Sequence, residues 1–326
     1  MDLAIETNGL TKKYGSLIAV NKLDLKVKRN TVHGFLGPNG AGKTTTIKIL
    51  VGLLKPNEGT VKVLGQELHG SKSNILAQWF YEHADSRLSI GYMPELPKFP
   101  KHLKGAELLD IYGQMHGMSQ QQRKEQILRL VELVGLQGRE NDLIGKYSKG
   151  MQQRIGIAQT LLNNPELVIL DEPSLGLDPV GMVEVREIVK EIAKEGRTVL
   201  VSSHLLFEIE QICTNVTIIN HGTALVSDTL QKVSGLLSGP SMLHVEVVKI
   251  SDTIINAVKK LPSVSSVVQT GNTLRIQMKT HEDTRVEVSK EITRSGGIII
   301  GMNQKASNLE DVFIQLIHKD QGGKPQ

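Results

Sequence analysis

The stretch "GPNGAGKT" at residues 37–44 leaves the chain few folds to choose from. Its pattern, G-x-x-x-x-G-K-[ST], needs a strand that delivers the loop and a helix that starts directly behind it. Both flanks are legible. "TVHGFLG" reads as a short buried strand, and the residues after the loop place Ile47, Leu50, Val51 and Leu54 at i, i+3, i+4 and i+7 of a helix. That helix is predicted to stop at Lys55–Pro56. The glycines let backbone N–H groups turn toward a phosphate, and the helix adds its positive N-terminal end. Gly37, Pro38, Asn39, Gly40, Ala41, Gly42, Lys43, Thr44 and Thr45 are therefore candidate cofactor-binding residues, with Lys43 reaching outer phosphates and the Thr44 hydroxyl offered to Mg²⁺.

The rest of the chain supports an α/β architecture around that unit. In "NKLDLKVKRN" the residues Leu23, Leu25 and Val27 share one face of a half-buried strand, and "PNEG" turns into the strand "TVKVLG". From about Leu103 to Asn164 the pattern is helical, with Ile127, Leu130, Val131 and Val134 on one face and Gly135 closing the helix. Beyond Pro165, "LVIL", a helix near Gly181 to Lys194, "TVLVSS", "LLFEIEQI" and "VTIIN" alternate strand and helix, which predicts a parallel sheet covered on both faces. "LQKVSGLLSGPS" reads as a linker. After it, a β-α-β-β-α-β order from "MLHVEVV" to "GGIIIGM" predicts a small α+β, ferredoxin-like domain, followed by a helix in "SNLEDVFIQLI" and a disordered tail.

Bulk properties exclude several function classes. The 326 residues suffice for two domains, and the net charge of +4 is too small, and too free of aromatic-interleaved basic stripes, for a dedicated nucleic-acid binder. One cysteine, Cys213, rules out an internal disulfide framework and reads as a small buried hydrophobe. No apolar run reaches the ~18 residues that span a bilayer, and no signal-peptide core opens the chain, so membrane attachment is expected only through a partner.

Chemistry concentrates in a second acidic motif. "LVILDEP" ends four apolar residues in two acids. Asp171 suits Mg²⁺ and Glu172 suits a general base that orients and deprotonates water. Three further stretches stand in order around it: "YSKGMQQR" before, "SLGLD" just after, and "VLVSSH" ending in His204. On those motifs the chain resembles an ATP-binding cassette ATPase, the nucleotide-binding subunit of ABC transporters, from about Leu3 to Asp228.

The resemblance implies an ABC-type P-loop NTPase at residues 1–232, with a RecA-like core, an antiparallel β subdomain and a helical subdomain at about 95–164. Residues 240–318 would then form the α+β accessory domain and 319–326 the tail. It implies ATP and Mg²⁺ as cofactors, Tyr14 stacked on adenine, Glu172 as base, and His204 on the γ-phosphate. "YSKGMQQR" falls where the family carries its signature, which closes over the ATP of a second copy, so Ser148 and Gly150 would act in trans and Asp178 would cross the interface. Ser148 is also a natural N-cap, which sets a hydroxyl and a helix dipole together.

Two departures from the family pattern stand out. Lys149 and Met151 replace a glycine and the glutamine of the signature, and Glu95, in "GYMPELP", replaces a glutamine that touches Mg²⁺ and the membrane partner. Both resemble the exporter branch that includes drug- and antibiotic-resistance ATPases, whose cassettes end in a "LEDVF"-like helix as at Leu309 to Phe313. The implied partners are a second copy and a separate transmembrane permease, at the cytoplasmic face of the membrane, without nucleic acid. The alternative class is a soluble cassette ATPase acting on ribosomes or nucleic acid; a third reading makes the C-terminal domain a ligand sensor. His33 reads as a strand residue, His221-Gly222 as a hairpin turn, Trp79 as packing, and "KGAELLDIYGQMHG" as an amphipathic helix facing either the core or a membrane subunit.

Overall fold

The computed structural model describes residues 2–68, 89–236, 242–279 and 284–305. It divides into two compact units, Met1–Leu230 and Gln231–Gln326.

In the first unit, β1 (Leu3–Tyr14) and β2 (Leu17–Lys28) form a long hairpin. In β2, Leu23, Leu25 and Val27 are fully buried while Asp24 and Lys26 face solvent, the period-two pattern read from the sequence. β3 (Val32–Leu36) carries the chain into the phosphate loop and α1 (Lys43–Leu50). β4 (Glu58–Val63) and β5 (Gln66–Glu67) complete an antiparallel sheet of order β2-β1-β4-β5.

The second sheet has the order β10-β9-β3-β8-β7-β6. Its strands are β6 (Ile90–Met93), β7 (Leu167–Asp171), β8 (Thr198–Ser203), β9 (Asn215–Asn220) and β10 (Thr223–Thr229), around β3. All pairings are parallel except that of β10 with β9. Every residue of β3, β7 and β8 is buried, which is why consecutive apolar residues such as the "LVIL" of β7 occupy both faces, with the polar exceptions His33, Asp171, Thr198, Ser202 and Ser203 buried among them. The core joins Ile5 and Leu25 of the first sheet, Ile47 and Leu50 of α1, and Leu167, Ile169 and Leu200 of the second.

The helical stretch resolves into α2 (Gly105–Met115), α3 (Gln120–Leu133), a 3₁₀ turn at Ile144–Lys146 and α4 (Lys149–Leu161). α5 (Pro179–Lys194) and α6 (Leu206–Ile212) connect β7 to β8 and β8 to β9. Two expectations need correction. α1 ends at Leu50 rather than at Lys55–Pro56, because Gly52 takes the left-handed conformation (φ 76°) and the N–H groups of Leu53 and Leu54 turn back to the Lys48 carbonyl. The stretch read as a linker opens with a helix, α7 (Leu230–Leu236), whose Val233 is fully buried.

The second unit contains β11 (Met242–Val247), α8 (Asp252–Lys259), β12 (Val264–Thr270), β13 (Thr273–Met278), α9 (Arg285–Arg294) and β14 (Ile299–Lys305). Its antiparallel sheet, β12-β13-β11-β14, and both helices enclose a core of its own, with Val245, Ile276, Val258 and Ile292 among its members. This is the ferredoxin-like order expected. Trp79, the "SNLEDVFIQLI" helix and residues 319–326 lie outside the described residues.

His33 sits inside β3, hydrogen-bonded to the Thr217 hydroxyl at 2.8 Å, and burial pushes its pKa down to about 4. Because the folded value lies below the ordinary 6.5, its contribution to stability is present above pH 6.5 and is lost as pH falls toward 4. About 2.5 pKa units correspond to about 3 kcal/mol. Urea unfolding should show that loss between pH 6.5 and 4, and a His33→Gln variant should flatten the pH dependence across the same window.

Candidate active site

Three adjacent parallel strands end at the same place. β3 delivers the phosphate loop, β8 delivers His204 and β7 delivers Asp171 and Glu172, with Leu36 in register with Ser203 and Asp171 with Ser202. Carboxyl ends of parallel strands are where open α/β sheets bind ligands.

The loop's glycines are required by geometry. A Cβ on Gly42 would fall 2.4 Å from the Ala19 carbonyl, and its φ of 104° disfavours any side chain; a Cβ on Gly37 would meet the Ile219 carbonyl at 2.4 Å. Lys43 is buried, and its ammonium donates to the carbonyls of Gly37 (2.6 Å) and Pro38 (3.2 Å) while lying 3.1 Å from Glu172 Oε1. Glu172 in turn places Oε2 2.7 Å from His204 Nδ1. Glu172 is one of the few non-glycine residues with positive φ, at 51°. Such a conformation costs about 1–3 kcal/mol, and here it turns the carboxylate off the strand axis toward Lys43 and His204.

Asp171 is fully buried. Its Oδ1 accepts from the Ser202 hydroxyl at 2.6 Å, and the same hydroxyl accepts from the Glu172 N–H at 2.9 Å. Burial raises the Asp171 pKa, the Ser202 and Thr44 hydroxyls pull it back, and the charges of Glu172 and Glu95 raise it again. Its second oxygen, Oδ2, is buried without a hydrogen-bond partner. Tyr92 feels the same acids: burial, then Asp171 and Glu95, push its pKa up to about 12. Three carboxylates thus converge where one ammonium is nearby, a field that favours a further cation. Among the described residues no group of three or more His, Cys, Asp or Glu forms a protein-only metal cage.

A cavity of about 580 Å³ opens over the loop. Tyr14, Asn39, Gly40, Gly42, Lys43, Thr44, Thr45, Glu95 and Glu172 line it, so most of the predicted residues are brought together. Tyr14 is 47% exposed, with the Lys12 ammonium 5.3 Å from its ring centre. Gly37 and Pro38 face Lys43 through their carbonyls, and Ala41 is buried with its carbonyl accepting from Gly222 N–H at 2.9 Å. Sequence reasoning missed Leu17, Ile18, Leu175 and His221, which also line the cavity. His221 belongs to the β9–β10 turn, as read, but that turn is pinned to the phosphate loop by Gly222; no local pattern announces this.

Ser148, Gly150 and Asp178 do not line that cavity. The Ser148 hydroxyl caps α4 by accepting from Met151 N–H at 3.2 Å, and Asp178 caps α5 by accepting from Gly181 N–H at 2.8 Å. Tyr147 is buried and donates to the Arg139 carbonyl at 2.8 Å, while Arg154 donates to the carbonyls of Val134 and Gly135 at the end of α3. The Lys149 ammonium lies against Gly176, where a Cβ would come within 2.2 Å of it. The extra charge in "YSKGMQQR" therefore bears on the chain's own "SLGLD" loop. Nothing in the structure explains Met151.

Residues 20–175 match the model of the ABC transporter family, and residues 239–317 match that of the ATP-binding protein DrrA1-3-like C-terminal domain. The chain is 35% identical to the bacitracin transport ATP-binding protein BcrA of Bacillus licheniformis, over 97% of this chain and 98% of that one. It belongs to the ABC transporter ATP-binding proteins. The linearmycin resistance ATP-binding protein LnrL of Bacillus subtilis is 30% identical over 96% of this chain and 97% of its own. A solved ATP-binding cassette, described as a dimeric post-hydrolysis state bound to ADP and Pi, shares the fold with a TM-score of 0.61 at 23% identity, over 69% of this chain and 98% of that one. This cassette is the ATP-binding, ATP-hydrolysing subunit of an ABC transporter, and BcrA and LnrL are among its homologues. ATPases of the family dimerise and pair with a permease. No helix among the described residues is long and apolar enough to cross a membrane.

Gly40 and Gly42 separate strain from clash. Both have positive φ, but a Cβ on Gly40 meets nothing within 4 Å. Gly40→Ala should weaken ATP binding by strain alone, about 1 kcal/mol or roughly fivefold. Gly42→Ala adds a backbone clash and should weaken it at least tenfold more, read by titration with a fluorescent ATP analogue.

Proposed function

We propose that Lys43 and the loop amides hold the β- and γ-phosphates of ATP while Glu172 serves as the general base for the attacking water. The observation that carries this reading is the Glu172 carboxylate bracketed by Lys43 at 3.1 Å and His204 at 2.7 Å, at the mouth of the loop. His204 orients that carboxylate and reaches toward the γ-phosphate. Tyr14 stacks on the adenine. Most of the catalysis is positioning and charge stabilisation, as for phosphoryl transfer generally.

The residues fit Mg²⁺: a buried carboxylate oxygen of Asp171 lacks a partner, the Thr44 hydroxyl adjoins it, and Glu95 adds charge. Few protein ligands suffice for Mg²⁺, which usually keeps waters and phosphate oxygens as the rest. When bound it neutralises charge developing on the phosphates.

The signature half of the site belongs, in this reading, to a second copy. Ser148 at the N-terminus of α4, Gly150 beside it and Asp178 at the start of α5 all stand outside the cavity that holds Lys43, as a head-to-tail pair requires. ATP closes the pair, and hydrolysis reopens it to drive a separate permease at the cytoplasmic face of the membrane. The names of the relatives point to antibiotics as the exported class. The C-terminal domain, residues 240–318, is assigned to dimerisation or partner contact.

Glu172→Gln should retain ATP binding while turnover falls about 10²-fold or more; normal turnover in that variant would remove the base assignment. Ser148→Arg should bind ATP as a monomer yet fail to form the ATP-dependent dimer, measured by sizing the Glu172→Gln protein with and without the second substitution.

A further inference from the structure

We infer that Glu208, a buried carboxylate on α6, is a positioning residue for His204, acting through the hydroxyl of Ser203. The inference rests on the reading that His204 and Glu172 act at the γ-phosphate.

Successive side chains on a strand point to opposite faces. At the end of β8 this gives Ser202 and Ser203 different tasks. Ser202 turns toward β7 and bridges Asp171 and the Glu172 N–H. Ser203 turns the other way, and its hydroxyl donates to Glu208 Oε2 at 2.9 Å while accepting from the Leu205 N–H at 2.9 Å. The Leu205 carbonyl is a second, more distant acceptor for that hydroxyl at 3.3 Å, and the shorter, charge-assisted bond to the carboxylate is the stronger of the two. His204 is the residue enclosed by that Ser203–Leu205 bond. The Ser203 carbonyl accepts from Gly37 N–H at 3.3 Å, which ties the same turn to the first residue of the phosphate loop.

Glu208 is a costly choice for the position. It is buried, and its other oxygen, Oε1, has no hydrogen-bond partner. A buried carboxylate with one oxygen unpaired is a net burden on stability unless its remaining bond has a use. Its place in the first turn of α6 offsets part of that cost, because a helix N-terminus favours a carboxylate. The helix that carries it is seated closely: a Cβ on Gly34 of β3 would come within 2.7 Å of Ile209, so the bare glycine lets α6 rest directly on the central strand. Glu208 is thus fixed relative to the sheet, and Ser203 transfers that fixity to the turn that aims the imidazole at Glu172. Small misplacements of a catalytic group lower rates steeply without loss of substrate binding.

The test is ATP hydrolysis by Glu208→Ala, Glu208→Gln, Ser203→Ala, His204→Ala and the His204→Ala/Glu208→Ala pair, with thermal unfolding of each. Glu208→Ala and Ser203→Ala should each lower kcat about tenfold, with KM for ATP little changed. Glu208→Gln should recover most of the rate, because its amide oxygen still accepts from Ser203. In the His204→Ala background, Glu208→Ala should bring no further loss. Wild-type kcat in Glu208→Ala, no rescue by glutamine, or an equal further loss in the His204→Ala background would each overturn the inference. Full turnover by His204→Ala alone would instead remove the catalytic reading beneath it.

Discussion

A lysine ammonium leaves water only where oxygen atoms replace its hydration, and Lys43 imposes that demand on everything around it. At 6% exposure it lies among the carbonyls of Gly37 and Pro38 and the carboxylate of Glu172. To point two carbonyls inward the loop must double back on itself, which requires glycine at Gly37 and Gly42, where neighbouring backbone leaves no room for a Cβ. To bring a carboxylate to the third side the chain must leave β7 through a left-handed residue, Glu172. His204 then completes the circuit: it holds the other oxygen of Glu172, and the carbonyl next to it accepts from Gly37. Removing one member of such a buried pair costs about 3–5 kcal/mol. In the proposed ATP complex phosphate oxygens would satisfy the same donors, so that nucleotide entry would exchange one set of acceptors for another.

The parallel sheet is what lets residues so far apart in sequence meet. Lys43, Glu172 and His204 follow the carboxyl ends of β3, β7 and β8, which lie side by side in the order β3-β8-β7. Each strand is buried along its whole length, so a register slip would bring polar neighbours inside and is strongly disfavoured. The register then sets the spacing of the site. The strands are short, and the apolar material that fixes them is shared with α1 and the antiparallel sheet, so the site's geometry rests on a core assembled from both sheets.

Features that are local in the chain were legible in the sequence. The spacing of "GPNGAGKT", the acids after "LVIL" and the β-α-β-β-α-β order need only neighbouring residues to be read. The end of α1 was misplaced because Val51 and Leu54 continue the apolar spacing and do pack on the core, although Gly52 has already ended the helix. α7 was hidden by its small residues. His221 and Glu208 were illegible for a different reason. One is placed by a hairpin docked onto the phosphate loop, the other by a helix seated against a glycine in the central strand, and neither contact has a sequence signature of its own.

The octet "YSKGMQQR" joins these levels. Ser148 is an N-cap by local chemistry, Tyr147 is a buried anchor to the Arg139 carbonyl, and Arg154 holds the end of α3. Tyr147 and Ser148 thus fix the start of α4, and Arg154 ties the helix to the end of α3. They do so at a place that contributes nothing to the cavity above Lys43. A helix N-terminus gathers unpaired N–H groups and positive potential. Lys149 reinforces the argument, because its ammonium lies against Gly176 and so ties the signature to the loop that leads to Asp178. Signature and loop are held as one surface, the surface that the proposed head-to-tail pair would turn toward the nucleotide of a second copy.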